Sequence, residues 1–215
     1  MLYMPGKLIA AILLLMLTAC SSRPVSEAPA VINAQAHSGG SVVAFSPSGE
    51  LLASGGWEGA VRLWRMPDGS TVRAWQAHAS SVNGMVFTDA GQRLVTAGFD
   101  GRIASWSISG HLLGQVESPA PITHMTALAS ADRLLTGHAD GSVRQWRLSD
   151  LTLVQTQTLH RGSVKAVAIA PGGARYASSG SDGAVFAWSE DMPVRRLEDP
   201  PTDAWTLAFS PDGHR

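Results

Sequence analysis

The chain has one cysteine, Cys20, among its 215 residues. It therefore cannot form an intramolecular disulfide or a zinc site built on several cysteines. Charged residues make up only 15% of the chain and the net charge is −1, so no nucleic-acid-binding surface is expected. Tyrosine and phenylalanine are scarce, at 2 and 5, against 22 glycines and 12 prolines. This composition predicts short elements separated by many turns.

A long membrane-spanning run is also missing from the N-terminal region. Residues 8–19 are predominantly apolar, but these 12 residues are too few for a helix that crosses a bilayer, which needs about 20. Lys7 precedes the run and small residues end it, a pattern typical of a secretory signal peptide. We therefore predict that residues 1–19 are a cleaved signal and not a permanent anchor.

The end of this signal, Leu17-Thr18-Ala19-Cys20, resembles the lipobox of bacterial lipoproteins. The resemblance implies cleavage before Cys20, lipidation of that cysteine and a flexible tether over residues 20–30. Ser21, in place of aspartate, is the pattern that permits sorting to the outer membrane in Gram-negative lipoproteins. The expected location is the cell envelope, facing the periplasm, with the lipid as the membrane contact. The alternative is an ordinary cleaved signal with an incidental cysteine.

One motif occurs four times in the rest of the chain, at residues 52–64, 94–106, 134–146 and 176–188. In each copy a serine or threonine lies four residues before an acidic residue, glycine follows the acidic residue, and tryptophan comes five residues after the glycine. Successive tryptophans are 40 to 42 residues apart. A repeat of this length indicates a solenoid or propeller architecture.

Each unit can be divided into four short strands. In the second unit these are predicted at about 81–87, 92–97, 102–107 and 112–116, with an Asp-Gly hairpin turn between the second and the third. Apolar residues on both faces of the third strand predict a sheet packed between neighbouring sheets. The fold class is therefore all-β, a β-propeller of four-stranded antiparallel blades.

The units are expected at about 37–76, 77–118, 119–158 and 159–199, with a fifth that begins at 200. Residues 31–37 resemble a fourth strand that leads into the next unit, and the fifth unit stops at residue 215 inside its first turn. We expect the propeller, residues 31–215, to be part of a longer protein.

These residues resemble the WD-repeat β-propeller family. There, histidine, serine or threonine, aspartate and tryptophan of one blade form a buried hydrogen-bonded network. Carried over, the resemblance implies complete networks in the second and fourth units, a looser one in the first, where glutamate replaces aspartate, and one without its histidine in the third. The residues concerned are His78, Thr96, Asp100 and Trp106; His160, Ser178, Asp182 and Trp188; His37, Ser54, Glu58 and Trp64; and Thr136, Asp140 and Trp146.

Serine, histidine and aspartate are also the residue types of a hydrolase triad. A catalytic set is normally built once, whereas this set recurs with a tryptophan at repeat spacing, so the structural interpretation is preferred. No paired-cysteine or His-Glu-x-x-His spacing predicts a metal, and no glycine-rich phosphate loop predicts a cofactor. We expect no catalytic residues, no metal and no cofactor.

Aromatic residues stand at the exposed turns and are the candidates for partner binding. Trp57 and Phe99 directly precede the acidic turn residue, a place that the family resemblance puts on the face where partners dock. Trp205 begins the fifth unit. The alternative is that Trp57 and Phe99 each cap their own blade. The expected function is that of a non-catalytic scaffold for a protein or peptide; the alternatives are part of a longer enzyme or sensor, and small-ligand binding in the central channel.

Overall fold

The computed structural model describes residues 37–40, 42–197 and 204–213. The predicted signal peptide, Cys20, the tether and the segment 31–36 lie outside the described residues, as do positions 198–203. Within the described part, no helix is both long enough and apolar enough to span a membrane.

The structure is all-β, as predicted. Sixteen strands are described, and they form four antiparallel sheets of four strands each. The strands of the first two sheets are β1 (Val42–Phe45), β2 (Leu51–Gly55), β3 (Ala60–Arg65), β4 (Thr71–Gln76), β5 (Val82–Thr88), β6 (Arg93–Gly98), β7 (Arg102–Ser107) and β8 (Leu112–Glu117). The other two contain β9 (Ile122–Leu128), β10 (Arg133–His138), β11 (Ser142–Arg147), β12 (Leu153–Thr158), β13 (Val164–Ile169), β14 (Arg175–Gly180), β15 (Val185–Ser189) and β16 (Arg195–Arg196).

Each sheet runs in sequence order, and the first strands of successive sheets contact one another, β1 with β5, β5 with β9 and β9 with β13. This is the arrangement of propeller blades, with the first strand innermost and the fourth outermost. We refer to the sheets as the first to fourth blades. The end of the blade that carries the Asp-Gly turn is called the rim.

The third strand of each blade is buried on both faces, which confirms the prediction from its alternation. In β3, Val61 and Leu63 lie on one face and Trp64 on the other, and all three are buried. Leu63 packs with Phe87 and Leu94 of the second blade. The blades are therefore held together by side chains that fill the space between sheets.

The innermost strands of the second, third and fourth blades each contain a β-bulge near the rim. Asn83, Thr123 and Lys165 are the residues that the strand pairing skips. Asn83 donates from Nδ2 to the carbonyl of Ile122 at 2.8 Å, and Thr123 donates from Oγ1 to that of Val164 at 2.7 Å. Each of these two bulge residues thus hydrogen-bonds to the next blade.

Candidate functional site: the rim and its supporting networks

The second blade holds a complete polar network under its Asp-Gly turn. His78 Nδ1 lies 2.9 Å from Asp100 Oδ1, and His78 Nε2 lies 2.8 Å from Thr96 Oγ1. Trp106 donates from Nε1 to the same Thr96 oxygen at 2.9 Å. Asp100 also accepts the N–H of Ala79 at 2.9 Å, so the network ties the loop before the blade to the turn.

Burial and charge decide the protonation of this network. Burial is the largest effect on His78 and lowers its pKa, although the Asp100 carboxylate opposes the shift. Burial, the largest effect, opposes ionisation of Asp100, but hydrogen bonds from the N–H groups of Ala79 and Arg102 and from the His78 ring outweigh it and lower the Asp100 pKa. A neutral imidazole then donates from Nδ1 to the carboxylate and accepts the Thr96 hydroxyl at Nε2.

The first blade forms the same network with glutamate. His37 Nδ1 lies 2.6 Å from Glu58 Oε1 and His37 Nε2 lies 2.8 Å from Ser54 Oγ, to which Trp64 Nε1 donates at 2.8 Å. The distances are as short as those of the second blade, so the expectation of a looser network was wrong. The extra methylene of Glu58 is accommodated because its side chain is partly exposed and also accepts the Ser38 hydroxyl.

The fourth blade departs from the expected network at its tryptophan. His160 Nδ1 lies 3.0 Å from Asp182 Oδ1, and Nε2 lies 2.8 Å from Ser178 Oγ. Trp188 Nε1 is buried and has no hydrogen-bond partner. Its ring instead stacks on Tyr176, with ring centres 5.7 Å apart. The expectation that Trp188 completes this network was therefore wrong, because a tyrosine occupies the place held by leucine in the other three blades.

The third blade supplies an imidazole that the sequence analysis did not assign. His138 is fully buried; its Nε2 lies 2.7 Å from Thr136 Oγ1, and Nδ1 lies 3.1 Å from the carbonyl of Ala120. Trp146 donates to Thr136 at 2.8 Å. Burial, the largest effect, lowers the pKa of His138 to about 4.

The acidic residue of the third blade, Asp140, bonds to residues of β11. Asp140 accepts hydrogen bonds from the Ser142 N–H at 3.0 Å and from Arg144 Nη2 at 3.1 Å. The expectation of a network without a histidine is corrected, since the imidazole comes from another position of the blade and does without the acid. The signal that could have found it is a histidine where the other three repeats have glycine, at 56, 98 and 180.

Trp57 lies on the rim of the first blade, and 68% of it is exposed. Its indole ring packs against Gly39 and Gly40, where a side-chain carbon would collide with the ring. Trp57 therefore rests on its own blade with one part of its surface and presents the rest to solvent. Its packing on Gly39 and Gly40 agrees with a cap on its own blade, and the exposed remainder of the ring stays a candidate for partner binding.

A shallow groove of about 270 Å³ runs from Trp57 across the inner ends of three blades. It is lined by Gly40 and Val42 of the first blade, Val82 and Asn83 of the second and Thr123 of the third, together with Trp57. Apolar and polar groups thus meet beside an exposed aromatic ring. Such a combination suits the recognition of a protein surface or peptide.

The other two aromatic candidates are also exposed. Phe99 is 43% exposed, and its backbone N–H bonds to the carbonyl of Ser81. Trp205 is 71% exposed, with Lys165 Nζ 4.2 Å from its ring centre. The structure does not bring Trp57, Phe99 and Trp205 into one cluster. Among the described residues, no group of three histidine, cysteine, aspartate or glutamate side chains is placed to hold a metal ion.

The structure contains four antiparallel blades in series. In three of them a histidine bonds to a serine or threonine and to an acid at the turn. These features define a repeat protein of the β-propeller class. Residues 31–65, 69–107 and 151–189 match the family described as WD domain, G-beta repeat, and together they cover just over half of the chain. The chain belongs to the WD-repeat (WD40) family. The first three strands of the third blade, which builds its network differently, lie between the second and third matched segments.

Several curated relatives are similar over part of their length. A ribosome biogenesis protein WDR12 homolog of Chlamydomonas reinhardtii is 31% identical over 70% of this chain and 27% of its own length. The pre-rRNA-processing protein IPI3 of Mycosarcoma maydis is 35% identical over 39% of this chain and 14% of its own. The mouse guanine nucleotide-exchange factor SEC12 is 35% identical over 30% of this chain and 15% of its own length. The matches thus span about a quarter or less of these relatives. WD40 domains generally bind protein partners and are generally non-catalytic.

Proposed function

We propose that this chain is a lipid-anchored, non-catalytic scaffold of the cell envelope that binds a protein or peptide partner at its rim. The observation that carries the rim assignment is Trp57, a large aromatic side chain held on Gly39 and Gly40 yet 68% exposed, at one end of a groove that crosses three blades. Tryptophan is enriched among the residues that dominate binding energy at interfaces.

The scaffold role is supported by what the polar networks do. Asp100 and Asp182 each accept a backbone N–H from the loop that leads into their blade, from Ala79 and from Arg161. Each network therefore ties a rim turn to the loop that precedes its blade. A preorganised rim loses little conformational entropy when a partner binds.

The rim is tested by replacing Trp57 and Phe99 together with alanine. Candidate partners are captured from envelope extracts with the wild-type protein, identified, purified and titrated against both proteins. Because two interface aromatics are lost, affinity should fall about 100-fold or more. Thermal stability should change little, since both side chains are exposed.

The matched control replaces Leu113 and Val154 with alanine, two apolar residues of similar exposure on outer strands, and should leave the affinity unchanged. An equal loss of affinity in the control, or a large fall in melting temperature of the rim variant, would contradict the assignment.

The anchor is tested separately with Cys20→Ser. The proposal rests on the resemblance of residues 17–20 to a lipobox. Multiple acyl chains hold a protein firmly at a bilayer, so the wild-type protein should sediment with membranes and the variant should be released. Circular dichroism and melting of the variant should match the wild type, because the cysteine precedes the blades. Membrane retention of the variant would exclude lipidation of Cys20 as the anchor.

A further inference from the structure

The space between the third and fourth blades contains a groove that differs from its counterparts elsewhere in the chain. It has a volume of about 300 Å³ and lies at the ends of the strands opposite to the rim, beside the start of β14 and the end of β15. Gln145, Gln155 and Gln157 of the third blade line one side, and Tyr176 and Trp188 of the fourth lie opposite them.

The equivalent positions of the first blade are filled by apolar side chains. Leu63 and Trp75 occupy the places of Gln145 and Gln157, as the strand pairing shows. Leu63 is fully buried, and Trp75 lies 5.9 Å from Trp106 of the next blade, centre to centre. Two hydrophobic contacts between blades have thus been replaced by amides in the third blade. The replacement leaves a polar groove at positions that the first blade fills with apolar side chains.

Two buried polar atoms of this groove lack a partner. Eight side-chain atoms without a close hydrogen bond occur among the described residues, and three belong to groove residues: Gln157 Oε1, Tyr176 Oη and Trp188 Nε1. Of these, the Tyr176 hydroxyl interacts with the Arg133 guanidinium, which leaves Gln157 Oε1 and Trp188 Nε1. The other five are spread over the first three blades. Trp188 and Tyr176 are 4% and 1% exposed. Unpaired buried donors and acceptors destabilise a protein, so the Gln157 oxygen and the Trp188 N–H indicate a ligand that pairs with them.

The chemistry of the lining limits the kind of ligand. Glu190 is the one charged group of the groove, and it bonds to Arg133 at 2.9 Å. A charged ligand therefore finds no free counter-charge. Tyr176 and Trp188 are almost fully buried, so neither ring presents a face to a sugar. What remains is a set of amide, hydroxyl and indole N–H groups beside an apolar wall of Met192, Pro193 and Val194.

We infer that this groove binds a short, extended peptide segment without charged side chains. Glutamine amides carry a donor and an acceptor and so complement the N–H and C=O of a peptide main chain. The indole N–H of Trp188 donates to a peptide carbonyl, and the apolar wall accepts a small apolar side chain. The site is separate from the rim and does not depend on what the rim binds.

The test uses the full chain labelled with ¹⁵N and the capped peptide acetyl-Ala-Val-Ala-Ala-amide. Indole N–H signals report on the seven tryptophans, and the Trp188 signal is identified by its loss in Trp188→Phe. Titration should move the Trp188 signal saturably, with a dissociation constant in the millimolar range, while the Trp57 signal stays in place. Gln157→Leu should weaken binding at least tenfold, since it removes an amide that pairs with the main chain.

Two further variants keep the test decisive if Gln157→Leu folds poorly. Gln155→Leu removes the amide of an exposed residue that lines the groove, so it should fold normally and bind severalfold more weakly. Gln115→Leu replaces a glutamine that lines the groove between the second and third blades and should bind like the wild type.

Maltose and the charged peptide acetyl-Asp-Val-Asp-Ala-amide serve as competitors and should leave the Trp188 signal unmoved. Saturable binding of maltose would assign the groove to a sugar and overturn the inference. No response to any probe would show that the groove holds only water and would overturn it as well.

Discussion

At the scale of single residues, the third blade takes its network histidine from a different sequence position than the other blades do. In the second blade a side-chain carbon at Gly98 would lie 2.5 Å from His78 Nδ1, so the histidine requires glycine there. In the third blade Ser118 stands where His78 stands in the second, and the imidazole of His138 lies beside it, with Nδ1 3.5 Å from the Ser118 hydroxyl oxygen. An imidazole thus contacts the equivalent threonine in both blades. In the second blade it comes from the loop before β5, and in the third it comes from the end of β10.

This exchange predicts a pH-dependent stability. The folded-state pKa of His138 is about 4, below the ordinary value of 6.5, so at intermediate pH the unfolded chain binds a proton that the folded chain does not. The stability contributed by neutral His138 is complete above pH 6.5 and is lost as pH falls toward 4. Between pH 7 and 5 the wild-type protein should lose about 2 kcal/mol of unfolding free energy through this group.

Urea unfolding at pH 7 and pH 5 measures that loss, and His138→Gln should reduce it. His78 and His124 also have lowered pKa values caused first by burial, but they titrate in both proteins and cancel in the comparison. The Asp182 carboxyl, with a pKa of about 2, ionises below this window. An identical pH dependence in the variant would show that His138 is not the titrating group.

At the scale of the strand, most of the blade could be predicted from spacing. The third strand of the second unit was expected at 102–107 and is found at Arg102–Ser107, while its neighbours differ by about one residue at their ends. The Asp-Gly turn and the tryptophan set the register, because a hairpin turn fixes which residues face each other. Sequence position alone determines these contacts.

The departures arise where the outcome depends on a neighbour in space. Trp188 leaves its network because Tyr176, and not leucine, lies beside it, and a spacing pattern does not register the size of a packing partner. His138 was missed because it approaches Thr136 from two residues along the same strand, where alternation places both side chains on one face. The family pattern specifies the histidine before the blade and is silent about that position.

At the scale of the whole molecule, the bulges of the innermost strands connect one blade to the next. Repeat proteins owe their cooperativity to interfaces between neighbouring repeats. Here Asn83 bonds to the third blade and Thr123 to the fourth, and both bonds lie at the end of the strands that carries the rim. The same residues also line the rim groove beside Trp57. The geometry of the proposed binding surface therefore depends on the coupling between blades.

Thr123→Val tests that coupling with little change of shape. It removes the hydroxyl that donates to the Val164 carbonyl at 2.7 Å and lies 3.0 Å from that of Gly137. The single hydroxyl proton is lost as a donor to the Val164 carbonyl, so the unfolding free energy should fall by about 1–3 kcal/mol. If the bond couples blades, the urea transition should also broaden, with a lower m-value, because the fourth blade then opens before the others.

Thr96→Val, which breaks a network inside the second blade, should lower the midpoint at an unchanged m-value. A narrow transition in Thr123→Val, with the same m-value as Thr96→Val, would mean that apolar packing between the sheets alone makes the blades unfold together.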